Sequence, residues 1–231
     1  MYANCFKRII DFTVSLVALL VLSPILIVLA VIGAIAMRGN PFFTQLRPGR
    51  IDKKTGEEKI FRLIKFRTMS NAKDEEGNLL PDEVRLNQYG LFLRSTSLDE
   101  LPELWNVVKG DMSIVGPRPQ LVRDMVFMTA DQRKRHSVLP GLTGLAQCNG
   151  RNNMSWDQKF TYDLQYIEKI TLLNDLKIIM KTVVKVFQRE GINEEGMATS
   201  EDLGDYLLHK HLINADDYDR KQNEALELIK F

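Results

Sequence analysis

A chain of 231 residues that is 45% hydrophobic and 26% charged has the make-up of one globular body of moderate size, which excludes a disordered or fibrous protein. Two cysteines, Cys5 and Cys148, exclude a disulfide scaffold and a cysteine-built zinc module, and point to a reducing compartment. A net charge of +1 excludes a nucleic-acid binder driven by bulk electrostatics, yet residues 1–70 carry 11 Lys/Arg against 4 Asp/Glu, and the remainder has 6 excess acids.

The basic end also holds the apolar run. From Phe12 to Met37 there are 26 residues without a charge, about 39 Å as a helix against a hydrocarbon core of about 30 Å. Three readings compete for this segment. A secretory signal has Lys7 and Arg8 in front and Ala34-Ile35-Ala36 as a cleavage site, but signal h-regions span only about 7–15 residues. The basic stretch that follows, with Arg38, Arg47, Arg50, Lys53 and Lys54, also argues against export. A spanning anchor calls for a Lys/Arg difference between its flanks, and here both flanks are basic. The third reading is a re-entrant segment that enters and leaves by one face, bent at Ser23-Pro24. Proline removes one helical hydrogen bond and serine can satisfy a freed backbone group. This feature alone leaves a kinked spanning helix and a bent re-entrant one equally open. Asp11, four residues after Lys7, is placed to pair with Lys7 or Arg8 at headgroup level.

After Gly39-Asn40-Pro41 the pattern predicts a β-hairpin: Phe42 to Leu46, a polar turn from Asp52 to Lys59 containing Gly56, and Ile60 to Phe66. Residues 70–90 are expected to be a polar surface loop. Leu98, Leu101, Trp105 and Val108 fall at helical spacing, with Gly110 as the stop. Asp99, Glu100 and Glu103 fall off that stripe, and Pro102 puts the helix start between Ser97 and Pro102, hence Asp99 at a helix N-terminus. A later helix, from about Leu172 to Arg189, buries Leu172, Leu176, Ile179, Val183 and Phe187 and repeats Lys177, Lys181, Lys185 and Arg189 every fourth residue. Such a basic amphipathic helix suits an anionic membrane surface. Residues 190–231 hold 11 acids against 4 bases and read as an appendage: a short helical tail, a partner-binding segment or a flexible end. The domain plan is a membrane segment over 1–40, a body over 41–189 and the acidic appendage over 190–231.

No dinucleotide or P-loop fingerprint, GxSxG elbow or HExxH pair is present. His209-Lys210-His211 reads as a surface pair and His136 as structural. What remains is polar text rich in arginine and turn formers: QLRPGR at 45–50, KFRTM at 65–69, LRSTSLDELPELWN at 93–106 and VGPRP at 115–119. Guanidinium forks bind phosphate bidentately, and the prolines around Arg118 restrict its backbone, so phosphate recognition is the natural expectation. Asp99 and Glu100 beside these cations can divide two tasks, one carboxylate attacking phosphorus and the other holding a divalent cation. Ser97-x-x-Glu100 fits a helix capping box equally well, and spacing does not decide between the two.

The Ser-Pro-interrupted membrane helix, KFRTM, the LRSTSLDELPELWNVVKGDMSIVGPRP run and PGLTGLAQCNGRN together resemble the bacterial sugar transferases, specifically the small monotopic phosphoglycosyl transferases, over roughly residues 5–189. The resemblance implies transfer of a sugar 1-phosphate from a UDP-sugar to a polyprenyl phosphate, with release of UMP, as the first membrane step of surface glycan assembly. It implies Mg²⁺ as cofactor, Asp99 as the nucleophile that forms a phosphosugar-aspartyl intermediate, and Glu100 as the metal-binding carboxylate. Lys65, Arg94, Arg118 and Arg151 map onto the family's phosphate and nucleotide contacts, and Asp175 onto a family polar position. The implied fold is α+β and mostly α. It has a re-entrant membrane helix broken at Ser23-Pro24, amphipathic helices along the cytoplasmic leaflet, a small β-hairpin and one catalytic domain, with both termini cytoplasmic at the bacterial inner membrane.

Implied partners are the UDP-sugar, the polyprenyl phosphate and membrane lipids, with downstream glycosyltransferases and a second copy of the chain as further candidates. The sugar is left open, since no residue is assigned to its hydroxyls. Two other readings stand beside this one: direct displacement without a covalent intermediate, and a membrane-anchored scaffold in which the Asp-Glu pair only caps a helix.

Overall fold

The computed structural model describes residues 2–150, 154–188 and 201–230. A short π-helical turn at Tyr2–Phe6 leads into α1 (Lys7–Ala36), about 45 Å long by its rise per residue and, with an 18-residue stretch of mean hydropathy 3.0, long and apolar enough to cross a membrane. The expected break at Ser23-Pro24 is not a gap in the helix: α1 stays helical through Pro24. The cause is local. Proline has no N–H for the carbonyl of Leu20, four residues back, and the Ser23 hydroxyl donates to that same oxygen at 2.8 Å.

Most of α1 is bare, with Val21, Ile27 and Ile35 among its exposed residues. Both of its ends nevertheless rest on the same body. Near the start, Arg8 donates to the carbonyls of Val107 and Val108 (2.5 and 2.8 Å), and Lys7, Asp11 and Ser15 are buried. Near the end, Leu29 packs with Phe66 and Leu93, Tyr89 donates its hydroxyl hydrogen to the Leu29 carbonyl (2.8 Å), and Asn87 Nδ2 donates to Ala36 (3.2 Å).

The hairpin forms as expected, β1 (Phe42–Ile51) antiparallel to β2 (Glu58–Phe66), with β1 longer than predicted and irregular between Pro48 and Ile51. Gly56, at φ 76°, makes its turn. Residues 70–90 are not the plain loop expected: they contain a one-turn helix α2 (Asp82–Arg85), bridges Met69–Leu86 and Lys73–Leu79, and the start of α3 (Gln88–Thr96). Its N-cap is Asn87, which accepts from Gly90 N. Gly90 is what fixes α3, since a Cβ there would lie 1.9 Å from the Thr68 carbonyl oxygen. Such a backbone contact leaves no hydrophobic period to read.

A 3₁₀ turn at Leu98–Glu100 precedes α4 (Glu103–Lys109), which starts directly after Pro102 and stops at Gly110, φ 93°. Then come β3 (Ser113–Val115), α5 (Val122–Met125), α6 (Ala130–Arg133), a 3₁₀ turn at Lys134–Ser137 and β4 (Gly141–Thr143), which pairs in parallel with β3. α7 (Leu145–Asn149) and α8 (Trp156–Glu168) lead to α9 (Leu172–Gln188).

α9 forms where expected, but its stripe faces the other way: Leu172, Leu173, Leu176, Met180, Val183 and Val184 are exposed, while Asp175 and Ile178 are buried. A polar socket draws Asp175 inward, its Oδ2 accepting from Lys7 Nζ and Tyr2 Oη (2.7 Å each) and its Oδ1 lying 3.0 Å from the Tyr166 hydroxyl.

Of the acidic segment, residues 201–230 form α10 (Leu203–His209) and α11 (Ala215–Leu228). Leu203 and Ala225 sit in the largest apolar cluster, with Val122, Met125, Phe127, Trp156 and Phe160. Asp124 Oδ1 accepts from Leu203 N at 2.9 Å, which helps to tie α10 to α5. The architecture is α+β and mostly helical.

Candidate active site

β2 ends in Lys65 and Phe66, and the chain reaches α3 at a place fixed by Gly90 against Thr68. α3 carries Arg94, whose Nε donates to Thr68 Oγ1 at 3.1 Å. Ser97 then adopts φ 56°, a left-handed conformation uncommon for a residue with a side chain, and turns the chain so that Asp99 and Glu100 face back towards β2. Asn106 of α4 holds the two elements in register: fully buried, it accepts from Ile64 N (3.1 Å) and donates to the Arg62 carbonyl (2.8 Å), standing in for a strand neighbour on β2.

Lys65 Nζ lies 2.9 Å from Glu100 Oε1 and 3.0 Å from Glu103 Oε1, and Arg118 Nη2 reaches the same Glu100 oxygen at 3.0 Å. Asp99 makes no hydrogen bond or ion pair among the described residues, although the charges of Lys65, Arg118 and Arg94 act on it. Burial and then the neighbouring Glu100 push its carboxyl up to about 6, against the pull of those cations. Glu100 is opposite in behaviour: burial opposes its ionisation, but Lys65 and Arg118 hold it far below the usual carboxylate range. Glu103, 3% exposed, is pushed up by burial to about 7 despite Lys65. Adjacent carboxylates whose environments drive them apart are a recognised mark of divided chemical roles.

Mg²⁺ prefers hard oxygen donors and is commonly held by one or two carboxylates together with substrate phosphates, not by an all-protein cage. The donor set fits that pattern. Lys65 and Arg118 converge on Glu100 Oε1, and Oε2 takes no hydrogen bond among the described residues. No group of three or more metal-ligating side chains occurs among the described residues, so a cation here would draw much of its shell from a bound diphosphate or water.

An apolar cavity of about 500 Å³ lies between α1 and the hairpin, lined by Leu19, Leu26, Phe42, Ile64, Phe66 and Trp105 among others. Trp105, expected on a buried stripe, is 50% exposed and forms a wall of it. Ile64 and Phe66 point into the cavity and Lys65, between them on β2, points to the other face of the hairpin, so the same strand serves both the cavity and the polar group.

Of the residues singled out in the sequence, the structure brings Lys65, Arg94, Asp99, Glu100 and Arg118 together. Asp175 stands apart from them in the socket at the foot of α1, Ser23 and Pro24 lie within α1, and Arg151 lies outside the described residues. Sequence reasoning missed Glu103, Asn106 and Trp105. A charged residue and an amide on either side of an apolar pair, in Glu103-Leu104-Trp105-Asn106, were the available signal.

The family model for bacterial sugar transferases matches residues 2–189. The chain is 46% identical over 197 residues to the uncharacterized sugar transferase EpsL of Bacillus subtilis (strain 168), covering 84% of this chain and 94% of that protein. It is 33% identical over 202 residues to the exopolysaccharide production protein ExoY of Sinorhizobium fredii, covering 80% of this chain and 87% of that one. Against the UDP-glucose:undecaprenyl-phosphate glucose-1-phosphate transferase of Klebsiella pneumoniae it is 38% identical over 192 residues, 79% of this chain but 40% of that longer protein. The UDP-galactose-lipid carrier transferase of Erwinia amylovora is likewise matched over 41% of its length, at 34% identity.

Proposed function

Because the chain belongs to the bacterial sugar transferase family, we propose that it moves a sugar 1-phosphate from a UDP-sugar to undecaprenyl or a similar polyprenyl phosphate, releasing UMP, at the cytoplasmic face of the bacterial inner membrane. The observation that carries this reading is the pairing of an unbonded carboxylate with a cation-held one among Lys65, Arg94 and Arg118.

In the first half-reaction an Asp99 carboxylate oxygen attacks the β-phosphorus of the donor. An Asp–O–P bond forms, the bond from β-phosphorus to the bridging oxygen breaks, and UMP leaves with that electron pair. In the second, a phosphate oxygen of the polyprenyl phosphate attacks the same phosphorus and Asp99 is released, giving the polyprenyl diphosphosugar. Lys65, Arg94 and Arg118 hold the donor's phosphate oxygens and neutralise charge as it shifts to the leaving group. Glu100 and the donor's phosphates would hold Mg²⁺, which supplies further neutralisation of the diphosphate when bound. Asp99 is unprotonated above about pH 6, the form the attack needs.

The apolar cavity between α1 and the hairpin takes the first isoprene units of the acceptor. A re-entrant α1 is supported by the two ends of that helix resting on one body, by the exposed stripe of α9 and by basic flanks on both sides.

The test is UMP release by purified protein with Mg²⁺ and undecaprenyl phosphate across UDP-glucose, UDP-galactose and UDP-N-acetylglucosamine, with Asp99→Asn alongside. Intact-protein mass spectrometry without acceptor should show one sugar-phosphate added to the wild type and none to the variant. Turnover without that adduct would support direct displacement, and full activity of Asp99→Asn would return the pair to a capping role.

A further inference from the structure

Between β3 and α5 the chain presents Arg118 from the run Gly116-Pro117-Arg118-Pro119. Proline fixes φ on both sides of Arg118, and the backbone has no freedom left beyond that. Three consecutive carbonyls are each bonded: Pro117 to Gly141 N (2.9 Å), Arg118 to Arg135 Nη2 (2.7 Å) and Pro119 to Arg47 Nη1 (3.1 Å). Gly116 seals the start of the run, since a Cβ there would lie 2.5 Å from the Leu139 carbonyl oxygen.

Both guanidiniums are themselves held. Arg135 is 1% exposed, with Nε and Nη2 on Asp163 Oδ2 at 2.9 and 2.6 Å and Nη1 3.4 Å from His136 Nε2. Arg47 Nη2 donates to Gln45 Oε1 at 2.6 Å. Placing a second guanidinium beside Arg118 is unfavourable: burial and the like charge of Arg118 together draw Arg47 down to about 10. A surface turn with no task does not need two such arginines on its carbonyls.

We infer that Arg47 and Arg135 are positioning residues that fix the backbone of Arg118, and through it the direction of the guanidinium that meets Glu100 and the donor's phosphates. The inference rests on the reaction proposed above. Neither arginine needs to touch substrate. Their effect is to remove the reorganisation that a loop-borne arginine would undergo on binding a diphosphate, and a displacement of the order of 1 Å at such a contact can cost about a hundredfold in rate.

The experiment is a double-mutant cycle on kcat/KM for the active UDP-sugar, using Arg47→Gln and Arg135→Gln, each alone and each with Arg118→Gln. Arg47→Gln and Arg135→Gln should each lower kcat/KM roughly tenfold to a hundredfold in the native background and less than about twofold once Arg118 is gone. Arg47→Lys, which keeps the charge and loses the fork, should recover only part of the loss. Should Arg135→Gln fail to fold, the half-buried Arg47 carries the test alone. The same fold-loss in both backgrounds, or native kcat/KM for Arg47→Gln, overturns the inference and leaves the reaction standing. Native kcat/KM for Arg118→Gln, or no UMP release by the wild type with any donor, overturns the role of Arg118 and this inference with it.

Discussion

Two buried polar clusters, one at the foot of α1 and one between β2 and α4, are built to opposite rules. At the foot of α1, Asp175 takes Lys7, Tyr2 and Tyr166, while Asp11 takes Ser113 Oγ at 2.6 Å and Ile114 N at 3.3 Å, so both carboxylates use both oxygens. At the candidate site the acids crowd together: Glu100 and Glu103 share Lys65, and Asp99 is bonded to nothing described. A satisfied buried network holds two parts of a fold in one arrangement, whereas an under-satisfied one stores the electrostatic tension that chemistry uses. The two clusters should therefore answer differently to the same kind of change.

The largest effect expected is at Asp99. Asp99→Asn should lower UMP release by on the order of a thousandfold or more while making the protein at least as stable at neutral pH, because the lost oxygen bonds nothing and burial and Glu100 disfavour the charge that is removed. The socket should behave in reverse. Lys7→Met strips buried Asp175 of its cation and should destabilise the protein by about 3–5 kcal/mol, and Asp175→Asn by less because Asp11 stays 3.8 Å from Lys7, both read as the unfolding midpoint in detergent. An Asp175→Asn protein of native stability would break the comparison.

Acid should touch the site first. With Asp99 at about 6, kcat/KM should fall about tenfold per pH unit below that value and level off above it. A flat profile down to pH 5 would remove Asp99 as the group that must be ionised. Trp105→Ala should raise the KM for undecaprenyl phosphate about tenfold and leave the KM for the UDP-sugar as it was, since only the apolar wall has changed.

The smallest effect lies at Glu58, outside both clusters. Burial there is outweighed by His136 (2.9 Å) and Arg133, which take the carboxyl from 4.5 down to about 2. A folded-state value below the unfolded one adds stability that is complete above about pH 4.5 and is lost as pH falls towards 2. The difference in unfolding midpoint between wild type and Glu58→Gln should therefore narrow over that range.

These contrasts also explain what the sequence could and could not disclose. Asp99, Glu100 and Arg118 stood out locally, beside a predicted helix start and between two prolines, whereas Lys65 and Arg94 came from the resemblance alone, and the structure sets all five near one another. Glu103 was not legible, because its side was inferred by running a helical phase from Leu98. The chain instead makes a 3₁₀ turn and restarts at Glu103, which carries Glu103 inward and Trp105 outward. For α9 the period was right and the inward side wrong, since periodicity separates two faces without saying which is covered. That choice was made by Lys7 and Tyr2, far away in the chain, together with the nearby Tyr166. The packing of α10 and α11 left little pattern, because the residues they insert, Leu203, Gly204, Leu207, Tyr218 and Ala225, are spread over two short helices with no long shared stripe.

The socket also has a consequence for how the protein is made. Lys7 and Asp175 are separated by 168 residues of chain. At about 5–20 residues per second, a ribosome delivers the second partner on the order of 10–30 s after the first. During that interval α1 already exists, and the opposite charge within its own reach is Asp11, one turn on and 3.8 Å away in the finished protein. Until α9 has been made, Asp11 is thus the acid nearest to Lys7, and the pairing with Asp175 is added to it last.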